Sequence, residues 1–334
     1  MNIYDIAKQC NVSIATVSRV LNGSPSVSAK NREKILAVME QRGYQPNAFA
    51  RGLGLGTMKM VGILCADVAD PFYAKAVSLL ESGLKARGYD LLLYCTGSDL
   101  TEKKKYMEML LSKKADAIVL IGSIFAELTD NSHIERAAHE VPVVMINGCI
   151  DVDDVYSVTS DEPDAVSQCV QLLHGAGAER ILYLYNELTY SGRRKLAGYR
   201  TGLAACGLEE RAELLRRVQK DLDGAQAEVA QLLLQGTAFD AVICSEDLFA
   251  VAAQKALAEA GRRLPVIGYN NSILSECATP SITSVDFMLE DMCELAMSVL
   301  NKLQEHQPAP ARITVSSRLI ERESFQRPER KQQP

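Results

Sequence analysis

From Met60 onward, short apolar runs alternate with amphipathic stretches, and this alternation limits the folds open to the chain. The runs 61–65, 91–94, 117–121, 143–146, 181–185, 241–244 and 266–269 are apolar at nearly every position. A strand without polar alternation is buried on both faces, as in a parallel sheet covered by helices. Helix-spaced patterns lie between or beside these runs at 72–87, 101–113, 131–139, 162–175, 191–206, 224–234 and 247–261. Repeated βα units of this kind predict an α/β core. About 270 residues of such units outgrow a single hydrophobic core, so two lobes are expected. With 47% hydrophobic residues the chain can fill them.

The N-terminal segment follows another rule. Ile3, Ile6, Ala7 and Cys10 fall on one helical face, and Asn11-Val12-Ser13 reads as a tight turn. Val17, Val20 and Leu21 form a second apolar face, opposite Ala15, Thr16, Ser18, Arg19 and Asn22. Ser13 suits an N-cap and Asn22-Gly23 a stop. Two short helices joined this way predict a helix-turn-helix whose second helix enters the DNA major groove. An ordinary helical hairpin with a polar outer face fits the same periodicity. A third helix is expected from about Ser28, with Val27 against Ile35, Leu36 and Met39, ending at Gly43. Residues 47–53 form a short helical candidate, broken by Gly52, Gly54 and Gly56. Those glycines imitate a nucleotide loop, but they follow a helix and precede a strand, the wrong context for one.

Charge divides the chain in the same place. Residues 1–60 hold eight Lys/Arg and three Asp/Glu, a net of +5, so the rest of a chain of net −6 carries −11. A basic head on an acidic body attracts DNA at one end only. The nine cysteines form no C-x-x-C pair, and most, such as Cys65, Cys95 and Cys244, read as reduced core residues of a cytoplasmic protein. No signal segment and no run of membrane-spanning length is expected. His133, His139, His174 and His306 lie far apart, and no nucleophile elbow or phosphate loop occurs, so no enzyme chemistry, metal or cofactor is expected.

The segment IYDIAKQCNVSIATVSRVLNGSPSVSAKNREKI, followed by GYQPNAFARGL, resembles the N-terminus of the lactose/galactose-repressor family of transcription regulators, especially its catabolite-control branch. The likeness continues more loosely through the rest. It implies a helix-turn-helix headpiece over 1–46, a hinge helix and linker over 47–59, a two-lobe periplasmic-binding-protein-like core over 60–327, and a polar tail over 328–334. It implies that Ile14 and Ala15 face bases and that Arg19 reads a base edge. Ser13, Thr16, Ser18, Asn22, Ser28 and Asn31 match phosphate-contacting positions, and Tyr4 and Tyr44 match tyrosines that brace the headpiece or reach the backbone. Each serine could instead be a helix cap or a solvated surface group, and Tyr44 could be mostly core. Within the hinge, Asn47, Ala50 and Leu53 would meet DNA, with Leu53 wedging into the minor groove beside a second subunit's leucine. Gly54 and Gly56 depart from the family there and should leave the hinge less helical off DNA.

For the cleft, the resemblance points to Asp70, Phe72, Tyr73, Asn147, Asp161, Arg194, Lys195, Glu246 and Asn270 as effector-binding residues. Phe72 could instead simply close a lobe. Several of these depart from the family: Asp70 replaces an asparagine, Asn147 and Asn270 replace aspartates, and Glu246 stands in an Asn-Asp step. Lys195 sits where sugar- and purine-binding members place an arginine. A standard neutral sugar is therefore in question. An effector with a positive group, an atypical sugar derivative, or a cleft with little affinity for metabolites all remain open. Glu246 and Lys195 could also form an internal ion pair. The expectation is a homodimeric DNA-binding regulator, a repressor, bound to a pseudo-palindromic operator in double-stranded DNA and modulated by a small-molecule effector. The alternatives are control by a protein partner, a solute-binding protein of the same fold, and a sugar-converting enzyme.

Overall fold

The computed structural model describes residues 2–21, 23–44 and 57–326. Three helices form the head: α1 (Ile3–Cys10), α2 (Ile14–Leu21) and α3 (Ala29–Gln41). Asn2 caps α1 through a reciprocal pair of bonds with Asp5, and Asn11 ends it in the left-handed conformation. Ile6, Ala7, Cys10, Val17, Val20, Ile35 and Met39 make the head's core. The apolar stripes therefore pack as their periodicity predicts. Leu36 departs from its expected place: it is 50% exposed, because Ile35 and Met39, four apart, already define the buried face of α3.

The remaining elements build two lobes. The first sheet contains β1 (Met60–Cys65), β2 (Asp90–Cys95), β3 (Ala117–Ile121), β4 (Val143–Ile146), β5 (Val155–Ser160) and β11 (Arg312–Val315). Their order is β11-β5-β4-β3-β1-β2, and every pairing is parallel. Helices α4 (Pro71–Lys85), α5 (Leu100–Ser112), α6 (Ser132–Ala138) and α12 (Leu289–Gln304) belong to this lobe. The second sheet runs β12-β10-β9-β8-β6-β7, with β6 (Ile181–Tyr185), β7 (Leu215–Arg217), β8 (Ala241–Cys244), β9 (Val266–Tyr269), β10 (Thr283–Asp286) and β12 (Arg318–Ile320). Only β12 runs antiparallel to its neighbour. Helices α7 (Glu162–Gly175), α8 (Tyr190–Ala205), α9 (Leu222–Leu234), α10 (Asp247–Glu259) and α11 (Ile273–Cys277) belong to the second lobe.

The chain crosses between lobes after β5, after β10 and between β11 and β12. Sequence periodicity reaches most elements but misses β5, β7, β10, β11, β12, α11 and α12. The sequence VYSVTS of β5 is not an apolar run, although Ser157, Thr159 and Ser160 are buried. Its neighbours β4 and β11 complete the ladder on either side, which pattern alone cannot foresee. Cys95, expected in the core, is exposed because β2 is an edge strand; its sulfur lies 3.8 Å from that of buried Cys65.

Candidate functional site

In the head, Ser13 accepts the Thr16 N–H at 3.2 Å, and the two hydroxyls lie 2.9 Å apart. Ser28 accepts the Asn31 N–H at 3.4 Å. Both serines cap helix N-termini and stay exposed, so the cap and phosphate-contact readings are compatible. Ile14, Ala15 and Arg19 are exposed on α2, while Thr16 and Ser18 are half-buried, as is Asn31 on α3. Tyr4 is 65% exposed and braces nothing in the head's core, whereas Tyr44 packs partly against that core. The expectations for Asn22, Asn47, Ala50 and Leu53, for the hinge helix and for the tail 328–334 lie outside the described residues.

A cleft of about 610 Å³ opens between the lobes, with a smaller inner recess beside it. Its walls are the loops that follow β1, β2, β3, β6, β7, β8 and β9, with the loop after β4 lining the recess. These are the carboxyl ends of parallel strands, where open α/β sheets present ligand-facing groups. Asp70, Phe72, Tyr73, Asn147, Lys195, Glu246 and Asn270 all line the cleft or its recess. Asp70 caps α4 by accepting the Phe72 N–H at 2.9 Å, which sets Phe72 at the cleft wall. Phe72 also packs on Tyr73 and Phe287, with ring centroids 4.7 and 5.7 Å away, so it closes the lobe and lines the cleft at once. Asn147 and Asn270 have positive φ, 60° and 102°, which turns the chain sharply out of β4 and β9.

Two expected residues lie elsewhere. Arg194 and Lys195 are adjacent on α8, so their side chains diverge by about 100°. Lys195 points to the recess, donating to the Ser245 carbonyl at 3.0 Å with its ammonium 3.8 Å over the Tyr269 ring. Arg194 instead pairs with buried Glu162 at 3.3 Å and donates to the Ser160 carbonyl at 3.2 Å, bracing the first crossover. Asp161 is the other correction: it accepts the Ser317 N–H at 2.6 Å, tying the first crossover to the third rather than lining the cleft. Small residues permit this hinge geometry. A Cβ on Gly202 would sit 2.6 Å from that of Val170, and one on Gly198 would strike the Pro163 carbonyl, so α8 can lie close against α7. Ser191 then donates to Glu162.

The electrostatics centre on a residue that periodicity did not single out. Lys220, in the loop before α9, pairs with Asp70 of the opposite lobe at 2.8 Å and with Glu246 at 3.7 Å. Glu246 thus takes Lys220 as its ion-pair partner, and no Glu246–Lys195 ion pair forms. Burial pulls on the Lys220 ammonium, but Glu246, Asp70 and Glu187 outweigh it and hold the group above the usual lysine range. Burial raises the Glu246 carboxyl, opposed by Lys220 and Lys195. Burial likewise lowers Lys195, opposed by Glu162 and Glu246. Neighbouring Asp247 is pushed up to about 6 by burial, against hydrogen bonds from Ser284 and Ser272. Those bonds hold Asp247 as a structural anchor between α10 and β10. Asn186, Glu187 and Thr189, in the loop after β6, also line the cleft and carry no periodic signal.

Among the described residues, no group of three or more His, Cys, Asp or Glu could hold a metal ion. No helix among them is long and apolar enough to cross a membrane.

A helix-turn-helix head on a two-lobe cleft core defines a DNA-binding transcriptional regulator. Residues 2–47 match the model for bacterial regulatory proteins of the lacI family, and residues 58–301 match the one for periplasmic binding proteins and the sugar binding domain of the LacI family. An HTH-type transcriptional regulator of Lachnoclostridium phytofermentans is 44% identical over 97% of this chain and 99% of its own. Catabolite control protein A of Priestia megaterium is 28% identical over 96% of this chain and 98% of its own. The fold matches the lac repressor dimer bound to operator and the anti-inducer ONPF, with a TM-score of 0.85, 23% identity, and coverage of 97% of this chain and 98% of that one. The chain belongs to the LacI family of bacterial regulatory proteins.

Proposed function

We propose that this regulator is a cytoplasmic repressor that binds a pseudo-palindromic operator as a homodimer and is modulated by a small-molecule effector in the inter-lobe cleft. The observation that carries the reading is the pairing of an exposed α2 face, Ile14, Ala15 and Arg19, with a polar cleft at the carboxyl ends of both sheets. A two-fold dimer presents two such helices to two half-sites. Arg19 can fork onto a guanine edge, and the capped N-termini at Ser13 and Ser28 suit phosphates. The effector acts by binding one arrangement of the lobes better than another. Titration of duplex operator DNA at two salt concentrations tests the DNA half, with a steep salt slope expected. Arg19→Ala should cost about 1–3 kcal/mol and relax specificity at one position. Unchanged affinity and specificity in that variant would remove Arg19 from base readout. Sedimentation of the free protein tests the dimer.

A further inference from the structure

The cleft is charged in a way that does not suit an anionic ligand. Asp70, Glu187 and Glu246 face Lys220, with Asp67 at the rim. Lys195 is committed to the Ser245 carbonyl and the Tyr269 ring, and it also offsets buried Glu162. Arg193 and Arg217 line an adjoining opening and donate to the Leu188 and Asn186 carbonyls. The carboxylates and the lysine also differ in freedom. The side chains of Asp70 and Glu246 are 20% and 21% exposed, whereas Lys220 is 45% exposed on a flexible arm that can swing out. Independent of this cluster, the recess holds polar atoms without partners. The Ser245 hydroxyl, on a residue 6% exposed, and the Asn147 side-chain amide oxygen Oδ1 are buried with no hydrogen bond among the described residues. Buried polar groups are normally satisfied, so a polar molecule in the recess completes them.

We propose that the cleft takes a polyhydroxylated ligand carrying one ammonium group, an amino sugar by class, and that this ammonium displaces Lys220 from between Asp70 and Glu246. The lysine then acts as an internal stand-in for the ligand, bridging the same two lobes when the cleft is empty of it. Amides and hydroxyls at Asn147, Asn270 and Ser245 both donate and accept, which suits sugar hydroxyls, and Phe72 offers an apolar face. The proposal rests on the reading of the cleft as an effector site.

The test is calorimetric titration of the full chain with glucosamine, galactosamine and mannosamine, beside glucose, galactose and mannose and their 6-phosphates. At least one amino sugar should bind about tenfold or more tighter than its neutral parent, the scale of one charge-assisted hydrogen bond. Lys220→Gln should tighten the amino sugar and leave the neutral parent unchanged, because it removes the competing ammonium. Glu246→Gln and Asp70→Asn should each weaken the amino sugar by about tenfold. Asparagine preserves the α4 cap, and the unliganded unfolding midpoint of each variant checks folding. Tighter binding of a neutral sugar or a phosphate overturns the ammonium proposal while leaving the cleft as an effector site. No binding by any of the nine overturns both.

Discussion

Replacing Arg194 with methionine distinguishes a hinge brace from a cleft residue. The guanidinium lies 3.3 Å from Glu162, which is fully buried, and donates to the Ser160 carbonyl. Removing one partner of a buried pair costs about 3–5 kcal/mol. Arg194 is 31% exposed, and Ser191 and Lys195 remain beside the carboxylate, so solvent and neighbours take up part of the charge. The expected loss is about 2 kcal/mol after that discount. For a protein of this size that is about 3 °C in unfolding midpoint. The loss should depend on pH. Burial raises the Glu162 carboxyl, and Lys195, Ser191 and Arg194 oppose the rise. Without Arg194 the carboxyl rises further, and a protonated, neutral carboxyl needs no counter-charge. The deficit is therefore larger at higher pH, where the carboxyl carries its charge, and shrinks as pH falls. Thermal unfolding of Arg194→Met as a function of pH, with Glu162→Gln and the double variant, measures the coupling directly. An unchanged midpoint at high pH, together with weaker effector binding, would refute the brace and return Arg194 to the cleft.

Three further outcomes follow from the same geometry. His133 is buried with neither ring nitrogen bonded among the described residues, and burial lowers it to about 4. Its unfolded form gains a proton first as pH falls, so about 3 kcal/mol of stability should disappear between about pH 6.5 and 4. In His133→Leu that portion of acid sensitivity should be absent from equilibrium unfolding, and an identical pH profile would count against it. Lys103, 1% exposed, donates to the Ile124 carbonyl and to Glu127, holding a loop that lines the cleft. Lys103→Met leaves those acceptors unpaired and should cost about 1–3 kcal/mol while weakening effector binding; unchanged unfolding would show the bond to be dispensable. Ser28→Ala removes the α3 cap, and should cost the head about 1 kcal/mol and also weaken operator binding; equal operator affinity would leave Ser28 a cap alone.

Much of the architecture was legible from local pattern. Helical stripes such as Ile3, Ile6, Ala7 and Cys10 bury where their spacing says, because side-chain direction in a helix follows from position alone. The buried runs at β1, β3, β4, β6, β8 and β9 read as parallel strands because two covered faces leave no room for polar residues. The placement of Phe72, Tyr73, Asn147, Lys195, Glu246 and Asn270 along the cleft was likewise readable, through the resemblance and the strand ends that carry them. Tertiary structure alone decided the rest. Strand β5 is half polar in composition and becomes a buried strand because β4 on one side and β11, from a distant part of the chain, on the other supply its ladder partners. The pairing of Asp70 with Lys220 joins residues 150 positions apart on opposite lobes, and no periodicity encodes that distance. Arg194 and Asp161 sit next to the cleft in sequence but belong to the hinge, because the crossovers and the close approach of α7 and α8 fix which way each side chain turns. A one-dimensional pattern records burial and local direction, whereas charge partners arise only where separate elements meet.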